Sequence, residues 1–211
     1  MSVNFQPNGK ATNVTAAGTA GASATTPAPA TVLVLASGRG ERFLASGGTT
    51  HKLRALLAGK PVLEHVLDAV RASGLPWHLE DAGHPGMGDS IAAAVQATRG
   101  ASGWLILPGD LPLIQGETLR LLADSLAGAL LDIPAEDQVV IPVCNGQRGH
   151  PVGFSAGCRD SLLGLTGNHG AARVINSYKA IEIAVDDIGC VTDVDTVQDL
   201  EHARALINAR Q

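Results

Sequence analysis

Aromatic residues, positive charge and long apolar runs are all scarce in this sequence. Aromatics account for 3% of the 211 residues, and the formal net charge at pH 7 is −5. Proteins that bind single-stranded nucleic acid stack bases on aromatic side chains, and nucleic-acid binders in general carry a basic face. The composition therefore argues against a nucleic-acid partner, whereas a small anionic substrate needs only one local basic cluster.

Apolar residues make up 45% of the chain, but no run of them approaches the roughly 20 residues that span a membrane. The N-terminus has no apolar stretch of the secretory-signal type. Three cysteines, Cys144, Cys158 and Cys190, are odd in number and widely spaced, which argues against a disulfide framework or a zinc site. We interpret them as small buried apolar side chains and expect a cytoplasmic protein without membrane contact.

The first 30 residues differ in composition from the rest of the chain. They are rich in Ala, Thr, Ser, Gly, Asn and Pro and have almost no large apolar side chains. Such a segment cannot bury enough surface to offset the entropy that is lost on ordering. We predict a disordered tail over residues 1–30 and one folded domain over residues 31–211.

Strand-like and helix-like patterns alternate from residue 31 onward. Continuous apolar runs at 31–36 and 104–107 indicate strands that are buried on both faces. The alternation predicts an α/β sandwich with a mostly parallel sheet, whose ligands bind beyond the carboxyl ends of the strands. The other predicted strands are 139–143, 152–154 and 181–185, and the predicted helices are 61–72, 90–98, 117–127, 159–165, 170–177 and 196–209.

One interval and two tryptophans complete the structural expectations. Residues 77–86 show neither the alternation of a strand nor the periodicity of a helix, and they are predicted to form a loop. The segment 88–90 is predicted to cap the helix that follows it. Trp77 and Trp104 are both predicted to be core residues.

The loop after the first predicted strand has the features of a phosphate-binding turn. Gly38 and Gly40 lack side chains, so backbone N–H groups there can approach phosphate oxygens closely. Arg42 adds a planar fork of donors that matches phosphate geometry, and Lys52 adds a point charge. Taken alone, the glycines are better explained as a strand-to-helix turn. The spacing excludes a dinucleotide-binding fingerprint, because Phe43 stands where Gly or Ala is required, and it excludes a P-loop.

Asp110 follows the second predicted buried strand, where a carboxylate is costly unless a cation or a helix N-terminus stabilises it. One interpretation is a magnesium ligand, since Mg²⁺ is usually held by one or two carboxylates together with phosphates and water. The other interpretation is that Asp110 is an ordinary turn residue, two positions before Pro112. The sequence around Asp110 leaves both open.

Asp193 and Asp195 precede the last predicted helix, and alternation along an extended segment would place both on one side. They are interpreted either as ligands of the same metal or, for Asp195 and Thr196, as the N-cap of that helix. Together with the first two loops they fit nucleotidyl transfer. That reaction requires a neutralised triphosphate, an exposed α-phosphorus and a stabilised pyrophosphate leaving group, and it needs no protein nucleophile.

Five segments in this order resemble one enzyme family. The first, Leu-Ala-Ser-Gly-Arg-Gly-Glu-Arg-Phe at 35–43 with Lys52, resembles the Leu-Ala-Ala-Gly-x-x-x-Arg-Met/Phe…Lys signature of GT-A-like nucleotidyltransferases. Gly-Asp-Leu-Pro-Leu at 109–113 resembles their metal-binding Asp before Pro-Leu. The segments 149–152, 165–173 and 193–196 make the chain similar to molybdenum cofactor cytidylyltransferases among the MobA-like NTP transferases, over residues 32–207.

The resemblance implies a three-layer α/β/α sandwich with a Rossmann-like sheet. It implies catalytic roles for Arg42, Lys52 and Asp110, and Mg²⁺ held by Asp110 with help from Asp193 or Asp195. It also implies that a molybdopterin phosphate attacks the α-phosphorus of a nucleoside triphosphate. The implied pterin-side residues are Gly149, His150, Pro151 and Arg173, and the implied nucleotide-binding residues are Leu35, Ala36, Ser37, Gly38, Arg39, Gly40, Lys52, Gly88, Ser90, Pro108, Gly109 and Asp110.

Two positions depart from the family pattern. Asn168 stands where relatives carry Asp, and Ser37 stands where cytidylyl-transferring relatives have Ala and guanylyl-transferring relatives have Gly. A side chain larger than Gly leaves less room for a purine, so CTP is favoured over GTP. The expected acceptor is a molybdopterin cofactor that serves a molybdenum hydroxylase. The alternatives are guanylyl transfer to the same cofactor, transfer to a sugar 1-phosphate, and a non-catalytic cofactor carrier.

Overall fold

A computed structural model of the protein describes residues 29–128 and 137–209. The predicted tail lies outside them except for its last two residues, of which Ala30 is buried in the core. The described residues form a seven-stranded sheet, a two-stranded hairpin and flanking helices. The sheet contains β1 (Thr31–Leu35), β4 (Trp77–Glu80), β5 (Gly103–Pro108), β6 (Gln138–Cys144), β7 (Gln147–Arg148), β8 (Val152–Ser155) and β9 (Lys179–Ala184), and the hairpin contains β2 (Leu56–Leu57) and β3 (Lys60–Pro61).

The seven-stranded sheet has the order β4–β1–β5–β8–β6, with β7 and β9 both paired to β6. Strands β4 and β5 run parallel to β1, and β9 runs parallel to β6. Because β8 is antiparallel to both β5 and β6, those two strands share one direction. The prediction of a mostly parallel sheet is therefore confirmed, and the carboxyl ends of β1, β5 and β6 lie at one edge.

Helices cover both faces of this sheet. Val32 and Val34 of β1 pack into one core with two of the helices, while Leu33 packs into a second core with three others. Alternate residues of a strand point to opposite faces, so burial of both faces requires the continuous apolar run seen in the sequence. The predicted three-layer sandwich is confirmed. The first core contains α2 (Val62–Ser73) and α4 (Gly116–Leu126), and the second contains α3 (Met87–Ala97), α5 (Arg159–Leu163) and α6 (Ala172–Ser177).

A third, smaller core joins the start of the domain to its end. Phe43 of the short helix α1 (Glu41–Ala45) and Leu53 pack with Leu200 of the last helix, α7 (Val197–Ala209). The packing fixes the segment that carries Arg42 and Lys52 against the segment that leads into α7. Residues far apart in sequence are thereby brought to the same edge of the sheet.

The predicted loop at 77–86 is wrong for its first four residues, which form β4. This strand lies at the edge of the sheet and pairs in parallel with β1. Its sequence has no apolar alternation because backbone hydrogen bonds to β1, more than side-chain burial, hold it in place. Trp77 is 41% exposed, so the prediction that it is a core residue is also wrong, whereas Trp104 is fully buried as predicted.

Helix α3 begins at Met87, earlier than the predicted start at residue 90. Gly86 in an extended conformation is its N-cap, so the assignment of the cap to 88–90 is wrong. Ser90 lies in the first turn, where its hydroxyl donates to Gly86 O at 3.1 Å. The other predicted elements are present with boundaries shifted by a few residues. All three cysteines are buried and free, as predicted.

In the part of the chain that the structure describes, no helix combines the length and apolar character needed to cross a bilayer.

Candidate active site

A cleft of about 950 Å³ opens at the carboxyl edge of the sheet, beyond β1 and β5. Its size is that of small-molecule sites, and its position is the one at which open α/β sheets bind ligands. Most of the predicted nucleotide-side and pterin-side residues line it together. They are Leu35, Ser37, Gly38, Arg39, Gly40, Arg42, Lys52, Ser90, Pro108, Gly109, Asp110, Gly149, His150, Asp193 and Asp195.

Lys52 joins two distant parts of the chain inside this cleft. Its Nζ lies 2.6 Å from Asp110 Oδ2 and 2.6 Å from Asp195 Oδ1. Burial alone would lower the pKa of Lys52, but the charges and hydrogen bonds of the two carboxylates outweigh burial and raise this pKa above its ordinary value. Lys52 is therefore an ammonium ion held between two carboxylates.

Arg42 contacts the same cluster from the solvent side. Its Nη1 lies 2.5 Å from Asp195 Oδ2, and 80% of its side chain is exposed. Ion pairs this open to water contribute little stability, because solvent competes for both partners. The guanidinium is therefore available to an anion that enters the cleft next to Gly38, Arg39 and Gly40.

Asp195 is positioned by the start of α7. Thr196 Oγ1 accepts a hydrogen bond from Asp199 N at 3.2 Å, and Asp199 Oδ2 accepts one from Thr196 N at 2.7 Å. This reciprocal pair is a capping box. Asp199 Oδ2 also accepts from Asp195 N at 3.1 Å. Of the two roles left open by the sequence, Thr196 takes the N-cap and Asp195 directs its carboxylate to Lys52.

Asp193 and His150 adjoin the same charges. Burial raises the pKa of Asp193, a backbone hydrogen bond opposes this, and the negative charges of Asp110 and Asp195 add to the rise. His150 reaches the cleft, and desolvation by the cleft walls lowers its pKa against the opposing charges of Asp110 and Asp193. Asp193 and His150 thus lie near the carboxylates of Asp110 and Asp195, which hold the Lys52 ammonium.

These carboxylates fit a divalent metal that arrives with its own phosphates. Within residues 29–128 and 137–209, no group of three or more His, Cys, Asp or Glu side chains is arranged to hold a metal ion alone. Asp110 and Asp195 nevertheless already hold a cation, the ammonium of Lys52, between their oxygens. Because Mg²⁺ commonly uses one or two carboxylates completed by phosphates and water, the oxygen donor set suits it. The division of ligand roles among Asp110, Asp193 and Asp195 stays a prediction.

A hydroxyl pair joins the exit of β1 to the first turn of α3. Ser37 Oγ and Ser90 Oγ lie 2.6 Å apart, and Ser90 Oγ donates its proton to Gly86 O. Since the Ser90 proton is used in that way, the Ser37 hydroxyl is the donor of the pair. Ser37 is left with free acceptor capacity where it lines the cleft.

Gly88 has a packing role. It does not line the cleft but donates its N–H to Gly167 O at 2.8 Å, and a Cβ there would lie 2.8 Å from carbonyl oxygens of the 166–169 loop. Asp89 Oδ2 accepts a hydrogen bond from Gly167 N at 3.0 Å. This docking brings residue Asn168 to the rim of the cleft beside the start of α3.

The 149–150 loop is fixed to the segment that precedes Asp193. Gly149 N donates to Pro142 O at 2.8 Å, and His150 N donates to Cys190 O at 2.8 Å. A Cβ at position 149 would lie 2.3 Å from Cys190 O, so the close approach requires glycine. The predicted pterin-side loop and the acidic pair therefore face the same cleft.

Some predicted site residues lie elsewhere. Ala36 borders a separate cavity of about 460 Å³, Pro151 is buried and Arg173 is exposed, and none of the three lines the cleft. Their binding roles, like that of Gly88, stay predictions. Conversely, several residues that line the cleft were not predicted as catalytic or binding residues. These are His84, Met87, Gln147 and Arg148.

Comparison with known proteins gives matches for this chain in sequence. A family model of the MobA-like NTP transferase domain matches residues 32–182, a span that contains Lys52 and Asp110. The bifunctional protein GlmU of Desulfitobacterium hafniense is 32% identical over 111 residues, which are 43% of this chain and 24% of GlmU. The matched region thus spans about a quarter of that relative's length.

Solved structures share the fold. Rv0371c of Mycobacterium tuberculosis has a TM-score of 0.66 at 22% identity, covering 83% of this chain and 98% of its own, and it has also been crystallised with manganese. Molybdopterin-guanine dinucleotide biosynthesis protein A of Archaeoglobus fulgidus has a TM-score of 0.62 at 17% identity, covering 85% of this chain and 99% of its own. At these identities the likeness concerns the fold, and the family match extends over most of the chain. The chain therefore belongs to the family of MobA-like NTP transferase domains.

Proposed function

We propose that this protein transfers CMP from CTP to the phosphate of a molybdopterin cofactor, with release of pyrophosphate and dependence on Mg²⁺. The observation that carries the proposal is the Lys52 ammonium between Asp110 and Asp195, next to a glycine loop. Nucleotidyl transfer needs cations for the triphosphate and carboxylates for a metal in one place. This cluster supplies both.

The cationic side chains bind and orient the triphosphate. Phosphate oxygens replace water and Asp195 around the exposed Arg42 guanidinium, whose planar fork of donors matches them. Lys52 lines the same cleft, and its amino group is positively charged. Mg²⁺, held by Asp110 with Asp193 or Asp195, would neutralise phosphate charge and polarise the α-phosphoryl group.

The transfer step needs no nucleophile from the protein. An oxygen of the acceptor phosphate forms the new bond to the α-phosphorus while the bond between the α-phosphorus and the bridging oxygen breaks. Pyrophosphate leaves with that electron pair. A phosphate monoester is already largely anionic at neutral pH, so the acceptor oxygen attacks without a general base. The protein's contribution is orientation and charge neutralisation.

Two features of Ser37 favour CTP. Its side chain occupies space beside Ser90 that a glycine would leave to a purine. Its oxygen also has free acceptor capacity in the cleft, which suits an amino group such as that at position 4 of cytosine. A hydroxyl fixed by a second hydroxyl at 2.6 Å is a well-positioned group for reading a base edge.

The acceptor half of the cleft favours a bulky phosphorylated cofactor. The cleft of about 950 Å³ leaves room for a second molecule beside a nucleotide. The 149–150 loop and Arg148 border it, and His150 can donate a hydrogen bond to the acceptor phosphate. The name of the Archaeoglobus fulgidus relative supports a molybdopterin acceptor. A molybdenum hydroxylase would then receive the product.

The same relative supports guanylyl transfer as the second candidate, since its name refers to a guanine dinucleotide. The two are separated by incubating the protein with Mg²⁺, molybdopterin and either CTP or GTP, and by measuring the pyrophosphate that is released. Parallel reactions replace molybdopterin with a sugar 1-phosphate and Mg²⁺ with Mn²⁺. We expect the fastest release with CTP and molybdopterin.

Faster release with GTP would assign guanylyl transfer, and turnover with the sugar 1-phosphate alone would assign a sugar nucleotidyltransferase. If nucleotide binds but no combination releases pyrophosphate, the protein is a non-catalytic cofactor carrier and the proposed enzyme activity is wrong.

A further inference from the structure

His51 connects the glycine loop to the turn that carries Lys52. It begins a single turn of 3-10 helix over Lys52–Arg54, and its Nδ1 accepts a hydrogen bond from Leu53 N at 3.3 Å. The side chain therefore acts as the N-cap of the turn in which Lys52 is the first residue. The orientation of Lys52 depends on this cap, because Lys52 begins the capped turn.

The other ring nitrogen of His51 reaches the glycine loop. Nε2 lies 2.7 Å from Gly38 O, across 13 residues of sequence. A carbonyl oxygen can only accept, so Nε2 carries the proton, and Nδ1 must be unprotonated to accept from Leu53 N. Both ring nitrogens are used, and together their partners select one neutral tautomer.

The imidazole also packs against the loop at Gly40. A Cβ at that position would lie 3.2 Å from both Cδ2 and Nε2 of His51, and Gly40 has a φ of +66°. For the ring to reach Gly38, the residue at position 40 must therefore be small and able to adopt a left-handed backbone conformation. The imidazole of His51 therefore contacts the loop at two points, the carbonyl oxygen of Gly38 and the Cα of Gly40, and only the second requires glycine.

Contact with Gly38 O fixes the direction of the following peptide group. In a trans peptide the N–H points opposite to the C=O, so the Arg39 N–H is directed away from His51. Gly38 and Arg39 both line the cleft. Among the described residues, no acceptor is hydrogen-bonded to the Arg39 N–H. The contact therefore leaves that backbone donor free for a ligand.

We propose that His51 is a positioning residue for the triphosphate, which holds the glycine loop and Lys52 in the arrangement that binds phosphate. It does so as a neutral side chain that contacts neither the substrate nor the metal. The inference rests on the proposed function, because it assumes that the loop binds the phosphates of a nucleotide. It adds to that site a residue from the segment between α1 and Lys52.

Two amide variants separate the two ring nitrogens. The Asn oxygen in His51→Asn can still accept from Leu53 N and cap the turn, but the side chain is too short to reach Gly38 O. The Gln amide nitrogen in His51→Gln reaches about as far as Nε2 and can donate to Gly38 O, while the cap is weakened. The first variant removes the loop contact and the second preserves it.

The test is titration of the full-length protein with CTP, with GTP and with inorganic tripolyphosphate, each in the presence of Mg²⁺. Loss of one well-formed hydrogen bond weakens binding by roughly threefold to tenfold in the dissociation constant. We expect His51→Asn to weaken the binding of both CTP and tripolyphosphate by this factor. His51→Gln should bind both ligands within about twofold of the affinity of the original protein. Thermal melting identifies any variant that fails to fold.

Equal affinities for the original protein and His51→Asn would overturn the role of His51. So would equal losses in both variants, because they would indicate a general effect of removing the imidazole. A loss confined to CTP, with tripolyphosphate unaffected, would place the effect at the base and would also overturn it. Failure of the original protein to bind any of the three ligands would instead refute the proposed function, and the role of His51 with it.

Discussion

Lys52 Nζ lies 2.6 Å from Asp110 Oδ2 although 58 residues separate the two in sequence. The contact joins the turn that follows α1, in which Lys52 is the first residue, to the loop after β5. The family pattern assigns Lys52 to the triphosphate and Asp110 to the metal. A second contact of the same ammonium, to Asp195, adds the start of α7. Three chain segments therefore converge on one charge, and most of the expected behaviour of the site follows from that convergence.

Replacement of this charge tests the convergence. Lys52→Met removes the ammonium between Asp110 and Asp195 and leaves only the exposed Arg42 paired with Asp195. We therefore expect the free energy of unfolding to fall by about 2 kcal/mol at neutral pH. Added Mn²⁺ should recover part of this loss in the variant. Urea unfolding with and without Mn²⁺ measures both effects.

The matched control is Lys60→Met. Lys60 pairs with Asp68 on the surface, where about half of each side chain is exposed. Exposed pairs contribute at most about 1 kcal/mol, so this variant should unfold nearly as the original protein does. Similar losses in the two variants would indicate that Lys52 has only the weight of a surface charge.

The two glycines of the phosphate loop should respond differently to alanine. A Cβ at Gly38 meets open space, and the position lines the cleft. Gly38→Ala should therefore leave the melting temperature unchanged while it weakens nucleotide binding. Gly40→Ala combines a φ of +66° with a close contact to His51, and should destabilise the fold by roughly 1–2 kcal/mol. Calorimetric melting and nucleotide titration distinguish them, and identical behaviour of the two variants would contradict this assignment.

Ser37 should control the choice of base. Ser37→Gly removes both the side-chain volume and the hydroxyl bonded to Ser90, so we expect the preference for CTP over GTP to fall by about tenfold. Ser37→Ala keeps the Cβ and removes only the hydroxyl. Ratios of kcat/KM for the two nucleotides separate the contributions of volume and hydrogen bonding. An unchanged ratio in Ser37→Gly would exclude Ser37 from base selection.

The capping box at α7 should make part of the stability depend on pH. Burial disfavours the Asp199 carboxylate, but hydrogen bonds from Thr196 and Asp195 outweigh burial and hold the pKa of Asp199 below its ordinary value. A lowered folded-state pKa stabilises the fold above the ordinary pKa, and this stabilisation is lost as pH falls through the folded-state value. Asp199→Ala should lower the free energy of unfolding by about 1 kcal/mol at pH 7.

Urea unfolding at pH 7 and at acidic pH checks this, with Gln198→Ala as the control because Gln198 is an exposed neighbour on the same helix. The difference between Asp199→Ala and the original protein should shrink as the carboxylate becomes protonated. A difference that is constant with pH would show that the cap does not depend on ionised Asp199.

The central strands, and the position of polar and charged residues just beyond their carboxyl ends, could be predicted from the sequence for a physical reason. Strands β1 and β5 are buried on both faces, and this requires continuous apolar runs, which are easy to recognise. Glycine, Arg42, Lys52 and Asp110 then follow at the carboxyl ends, where ligands bind. Local pattern and site position agree in these segments.

The remainder depends on contacts that no local pattern records. Strand β4 is held by backbone pairing to β1, so its side chains carry little signal. The pairing of Lys52 with Asp195 spans 143 residues, and the contact of His51 with Gly38 crosses an irregular loop. Arg173, which the family pattern assigns to the pterin side, lies on the surface outside the cleft. Side-chain partners of this kind are fixed by tertiary packing.

The most direct test of the central claim follows the α-phosphorus itself. The protein and its Asp110→Asn variant are incubated with Mg²⁺, molybdopterin and CTP labelled at the α-phosphate, and label in the pterin dinucleotide is measured. Asn has the shape of Asp but lacks its charge, so the variant should fold and lose about a hundredfold or more in rate. We expect labelled product from the original protein and almost none from Asp110→Asn. Equal labelling by both, or labelling by neither, would contradict it.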